Sequence, residues 1–357
     1  MTTGPTLTSE RIEVEDSWEE VNDLYHQRGW TDGLPIVPPT EERVARMVAR
    51  CAGTADEVIG LVPPKWGEAT IEKLAVNAVM AGCRPEYLPV IVAAVEALLA
   101  PEFNLNGIQA TTHPVAPLLV VNGPIAGRLG INSEANCFGQ GWIANATIGR
   151  AIRLILMNVG GGLPGRTDRS TQGQPSKYSY CIAENETANP WGPFHVSRGF
   201  RAEESAVSVF GVENPHNIND HVSNTAEGIL ITAADTMASM GMNNAYLGKG
   251  ELLFVFGPEH AATIARYNWT RRDVQAYLFE NARIPLGRIR LGGMWGMDDW
   301  PTWVRGLRDD RALVPMVESL DDILILVAGA AGKHSCGMPS FGATRSVTRP
   351  ITRAVES

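Results

Sequence analysis

Three short apolar runs in this chain end in similar turns, and they restrict what it can fold into. Leu118-Leu-Val-Val-Asn122-Gly123-Pro124 leads into Ile125-Ala126. Leu252-Leu-Phe-Val-Phe256-Gly257-Pro258 leads into Glu259-His260-Ala261. Ile323-Leu-Ile-Leu-Val327-Ala328-Gly329 leads into Ala330-Ala331-Gly332-Lys333. Each reads as a strand buried on both faces, then a glycine turn, then a helix start, with proline at the first helical position in two of them. These runs place strands at 117–121, 252–256 and 323–327, and two more are expected at 206–210 and 229–232. Buried strands interleaved with helices predict an α/β fold, a mixed or parallel sheet covered by helices. Ligands of such sheets sit beyond the carboxyl ends of the strands, where these turns lie.

The helical period is clearest in the first half. Ser17 and Glu20 have capping-box spacing ahead of Trp18, Val21 and Leu24, and Thr40 caps a helix whose Val44, Met47, Val48 and Cys51 share a face. Ile71, Leu74, Ala75, Ala78 and Val79 form one stripe that stops at Gly82. Pro85 opens a second helix with Leu88, Ile91, Val92, Val95 and Leu98 inward. A third, near 146–158, points Ile148, Ala151, Ile152 and Ile155 to one side, leaves Arg150 and Arg153 off the stripe, and ends at Gly160-Gly161-Gly162. A chain of 357 residues exceeds one small domain. We expect a flexible lead-in at 1–15, an N-terminal α/β lobe over 16–165 and a C-terminal α/β lobe over 166–357.

Charge and cysteine usage narrow the partners. With 30 basic and 39 acidic residues the net charge is -9, which argues against nucleic acid and against an anionic membrane. The start carries no signal-peptide pattern, and the apolar stretch at 88–99 falls short of the ~20 residues of a spanning helix. Cys51, Cys83, Cys137, Cys181 and Cys336 are scattered and form no C-x-x-C pair, so reduced thiols and a cytoplasmic location are expected. The Trp-rich stretch Gly293 to Trp303 reads as a lid, as a subunit contact or, equally, as a wrap over the protein's own core, and a homo-oligomer is expected.

Two familiar motifs fail on inspection. Gly160-Gly-Gly162-Leu-Pro-Gly165 follows a helix rather than a strand, so it is not a dinucleotide fingerprint. Gly329-Ala-Ala-Gly332-Lys333-His334 lacks the first glycine and the Ser/Thr of a P-loop, leaving a glycine nest and a lysine suited to a carboxylate. No organic cofactor is predicted.

The polar clusters that remain supply candidate site residues. His113, in Thr111-Thr112-His113-Pro114, is a candidate general acid or base. Cys137, in the loop that also holds Asn132 and Asn136, is a candidate thiolate if a helix entry lowers its pKa. In Lys177-Tyr178-Ser179-Tyr180-Cys181-Ile182-Ala183-Glu184-Asn185-Glu186, an extended chain puts Glu184 and Glu186 on one face, where paired carboxylates shift each other's pKa. Asn122, Asn136, Tyr180, Lys333 and His334 are the expected substrate-binding residues. His216 and His221 converge as metal ligands only if 215–221 is a loop, because both strand and helix spacing send them apart.

Several segments resemble a bacterial family associated with UGSC-type selenoproteins and their cysteine counterparts. They are Trp30-Thr-Asp-Gly-Leu-Pro-Ile-Val-Pro-Pro-Thr40, Val62-Pro-Pro-Lys-Trp-Gly-Glu-Ala-Thr70, Asn77-Ala-Val-Met-Ala-Gly-Cys83, Asn145-Ala-Thr-Ile-Gly-Arg150 and Gly257-Pro-Glu-His-Ala261. The chain has no U/C-Gly-Ser-Cys motif; His334-Ser335-Cys336-Gly337 is only a distant echo.

Three functional readings follow. The first is a soluble enzyme acting on a small polar or anionic molecule, a lyase or hydrolase cleaving a carbon–heteroatom bond by acid–base or thiolate chemistry. The second, implied by the resemblance, is a non-catalytic subunit supporting a thiol or selenol redox partner. The third is a metal-dependent enzyme with a divalent ion on His216 and His221.

Overall fold

The computed structural model describes residues 5–247, 249–292 and 302–355. In chain order the strands are β1 (Val58–Val62), β2 (Gly67–Thr70), β3 (Ala116–Asn122), β4 (Cys181–Ala183), β5 (Ala206–Val212) and β6 (His216–Asn219). They continue with β7 (Leu252–Phe256), β8 (Arg283–Pro285), β9 (Leu313–Pro315), β10 (Ile323–Val327), β11 (His334–Pro339) and β12 (Val347–Pro350). The pairs β1–β2 and β8–β9 stand apart, and the rest form two four-stranded sheets, β12–β5–β3–β4 and β10–β7–β11–β6. Both are mixed. β3 runs parallel to β4 and β7 to β10, while the other neighbours are antiparallel.

Side-chain alternation shows how the sheets stack. Leu119 and Val121 of β3 join a core built with helices Ile71–Ala81, Leu88–Leu98 and Ile143–Asn158. Their alternates Leu118 and Val120 join a second core that also takes Leu253 and Val255 of β7 and Leu324 and Leu326 of β10. On the far side of those strands, Leu252, Phe254, Phe256, Ile323 and Ile325 pack with helices Ala226–Thr236 and Arg271–Asn281. The layers therefore run helix, sheet, sheet, helix. Strands β3, β5, β7 and β10 are buried on both faces, which is why they read as unbroken apolar runs. One cover is the other sheet, whereas the sequence led us to expect helices on both sides.

The sheets also divide the chain elsewhere than at residue 165. β4, β5 and β12 lie beyond it yet pair with one another or with β3. The strand expected at 229–232 is part of helix Ala226–Thr236. Four apolar residues fit either period, and the Thr225 hydroxyl accepting from Gly228 N caps the helix. The turns after β3 and β7 open helices Pro124–Leu129 and Pro258–Ala265 as expected, but the one after β10 passes into β11. The Gly160 to Gly162 run serves close packing: a Cβ on Gly160 would come within 2.7 Å of Pro63 O, and one on Gly162 would strike Gln109 Oε1. Residues 293–301, with Trp295 and Trp300, lie outside the described residues, as does the side chain of Trp303. Among the described residues no single helix is long and apolar enough to cross a membrane.

Candidate functional site

The residues singled out from sequence fall into three neighbourhoods. The first gathers Asn122, Glu184 and Glu186 at the carboxyl ends of β3 and β4. Asn122 Nδ2 donates to Glu184 Oε2 at 2.6 Å and to Glu186 Oε1 at 2.8 Å. Glu184 also accepts from Phe194 N at 2.6 Å and Asn189 Nδ2 at 2.8 Å; burial pushes its carboxyl up against these donors. Glu186 accepts from Gly123 N at 2.6 Å as well. His195, which sequence reading missed, stands beside them. Its Nε2 donates to Arg201 O at 3.1 Å, leaving Nδ1 buried, with no hydrogen-bond partner among the described residues and 3.9 Å from Glu186 Oε1. It sits in the one-turn helix Phe194–Ser197, too short to leave a periodic signal.

The second neighbourhood links His113, Tyr180 and Cys137. Val115 N donates to His113 Nδ1 at 3.3 Å, so Nε2 carries the proton and donates to Glu213 Oε1 at 2.9 Å. The buried Tyr180 hydroxyl donates to Glu213 O at 3.0 Å. Cys137 lies in the core between the sheets, and burial pushes its thiol up to about 11. That is the opposite of the lowered pKa a thiolate nucleophile needs, because the thiol faces apolar side chains rather than a helix terminus. Asn136 closes its own turn, Nδ2 donating to Gln140 O at 2.7 Å.

The third holds Lys333 and His334, at the far sheet. The glycine nest there is already satisfied from within: Gly332 N donates to Glu259 Oε2 at 3.1 Å and Gly329 N to Ser133 O at 2.8 Å. Lys333 Nζ donates to His221 O at 3.2 Å. His216 does not join His221; His334 does, with Nε2 atoms 3.1 Å apart.

None of these residues lines a cleft of about 920 Å³ that lies between the N-terminal helix, helix Ile143–Asn158 and the loops that follow it. Its volume suits a small molecule. Arg28, Arg153, Arg166 and Lys177 line it, against only Asp32 and Asp168. Both carboxylates are engaged. Arg150 holds Asp32 through two bonds of 2.8 Å, and Lys177 Nζ donates to Asp168 Oδ2 at 2.6 Å. Arg153 Nε donates to Lys177 O at 2.6 Å, and its two terminal amines have no hydrogen-bond partner among the described residues. A planar fork held by one edge presents the other to a carboxylate or phosphate. Burial pushes the Arg153 guanidinium down, while Asp168 and Asp32 pull it up.

No protein-family model matches the chain, and no curated protein is similar to it.

Lys177 is the other distinctive group of the cleft. Its Nζ donates to Ser170 Oγ at 2.7 Å, and that hydroxyl donates to His113 O at 2.7 Å. Burial, together with the neighbouring Arg153 charge, lowers its pKa further than Asp168 restores it. Arg153 and Lys177 were legible only as residues off a helical stripe and at the head of a polar cluster. What marks them is the cleft, made from segments far apart in sequence.

Proposed function

We propose that this chain is an enzyme that binds a small anionic molecule in the cleft and acts on it by proton transfer, as a lyase or hydrolase. The observation that carries the reading is the unused fork of Arg153, set among Arg28, Arg166 and Lys177 in a chain of net charge -9. Arg153 anchors a carboxylate or phosphate. Lys177, with its lowered pKa, exchanges the proton, and Asp168 and Ser170 orient it. Calorimetric titration with succinate, citrate and inorganic phosphate tests this. Wild type binds at least one of them saturably, and Arg153→Met weakens that binding at least ~10-fold, the worth of a charge-assisted hydrogen bond. Lys177→Met retains binding but loses turnover. Absence of saturable binding, or an unaffected Arg153→Met, would refute the assignment.

A further inference from the structure

His221 and His334 come from different elements, the loop after β6 and the first residue of β11, yet their Nε2 atoms meet at 3.1 Å with the rings at 79°. Two imidazole nitrogens bound to one tetrahedral zinc at ~2.0–2.1 Å stand ~3.3 Å apart. Asn217 prepares one of them. Its Oδ1 accepts from His334 Nδ1 at 2.9 Å, so the His334 lone pair lies on Nε2, facing His221. An outer partner that fixes the tautomer and ring angle in this way is the usual companion of a metal-ligating histidine. Both histidines are exposed, so an ion can reach them without rearrangement of the core. Lys333 donates to the His221 carbonyl, and the Asp220 carboxylate beside it in the chain is held by Val222 N and Ser223 N.

We propose that His221 and His334 form an open binding site for a first-row divalent transition metal of the zinc type. Among the described residues no group of three or more His, Cys, Asp or Glu is placed to hold a metal, so the remaining coordination positions go to water or to an incoming ligand. A cavity of about 310 Å³ is lined by Lys333 and Ser223, which lie next to His334 and two residues after His221 in the chain, although neither histidine is part of its wall. The site is separate from the anion cleft and stands or falls independently of it.

Tag-free protein stripped with EDTA tests the proposal by zinc titration against a chromophoric chelator and by cobalt(II) absorption in the visible. Wild type takes up one zinc per chain. His221→Ala and His334→Ala each lose at least ~100-fold in affinity, Asn217→Ala loses ~10–100-fold, and His216→Ala matches wild type. Circular dichroism identifies any variant that fails to fold. Zinc uptake that persists at wild-type affinity in folded His221→Ala and His334→Ala overturns the proposal, as does wild type that takes up no zinc.

Discussion

Cys137 shows how burial sets reactivity one residue at a time. The same desolvation that carries its thiol to about 11 carries Cys336 and Cys83 to about 12. Native protein at about pH 8 should therefore react with iodoacetamide far more slowly at these thiols than a free cysteine does, with full reaction only after unfolding. Peptide mass spectrometry reads this; rapid labelling of Cys137 in the native state would contradict it. Glu184 makes the matching case for a carboxylate. Its folded pKa is raised, so above the unfolded value of ~4.3 the native chain holds more protons than the unfolded one, and stability from this group falls as pH rises through that window. Glu184→Gln removes the titration, so the variant gains on wild type as pH climbs from ~4.3, whatever constant loss its altered hydrogen bonds cause. Denaturant titrations across that range test this, and parallel curves would mean an ordinary carboxyl. The convergence of Glu184 and Glu186 was legible because two-residue alternation is a local property of extended chain. The pKa of Cys137 was not, because it depends on Leu118, Tyr180 and Met338, which sequence spacing does not bring near.

At the scale of elements, the wall of the cleft depends on one buried ion pair. Arg150, on helix Ile143–Asn158, grips Asp32 with two bonds and also donates to Pro35 O at 2.9 Å, pinning the loop that carries Asp32 into the cleft. The side chains are 14% and 3% exposed, so removing one partner strands a charge away from water. Arg150→Met should cost ~3–5 kcal/mol in urea unfolding, and the Arg150→Met/Asp32→Asn double variant should lose less than the sum of the singles. Strict additivity would show that the pair is uncoupled. The same helix ties down neighbouring segments as well, since Asn158 Nδ2 donates to Asn77 Oδ1 and to Trp30 O. Periodicity located the three long helices of the first half because a continuous apolar stripe is needed to bury each of them. It misassigned 229–232, where four apolar residues carry no period.

For the whole molecule, the decisive feature is the face-to-face stacking of two mixed sheets. The class was readable from buried strands and glycine turns, but the stacking was not, since both faces of such a strand are apolar whether a helix or another sheet covers them. β12 ties the ends together: after the far sheet is complete, the chain returns to pair Val347–Pro350 with β5. A chain ending at residue 345 should therefore lose the cooperative unfolding transition of the full chain; an intact transition in calorimetry would show that β12 is dispensable. The same assembly brings the N-terminal helix, helix Ile143–Asn158 and the Lys177 loop together, and there an acidic chain gathers four cations around one cleft. A crystal structure with succinate, citrate or phosphate bound tests that claim most directly. The account predicts the anion between the terminal amines of Arg153 and within reach of Lys177; an anion seated elsewhere, with the Arg153 fork facing only water, would contradict it.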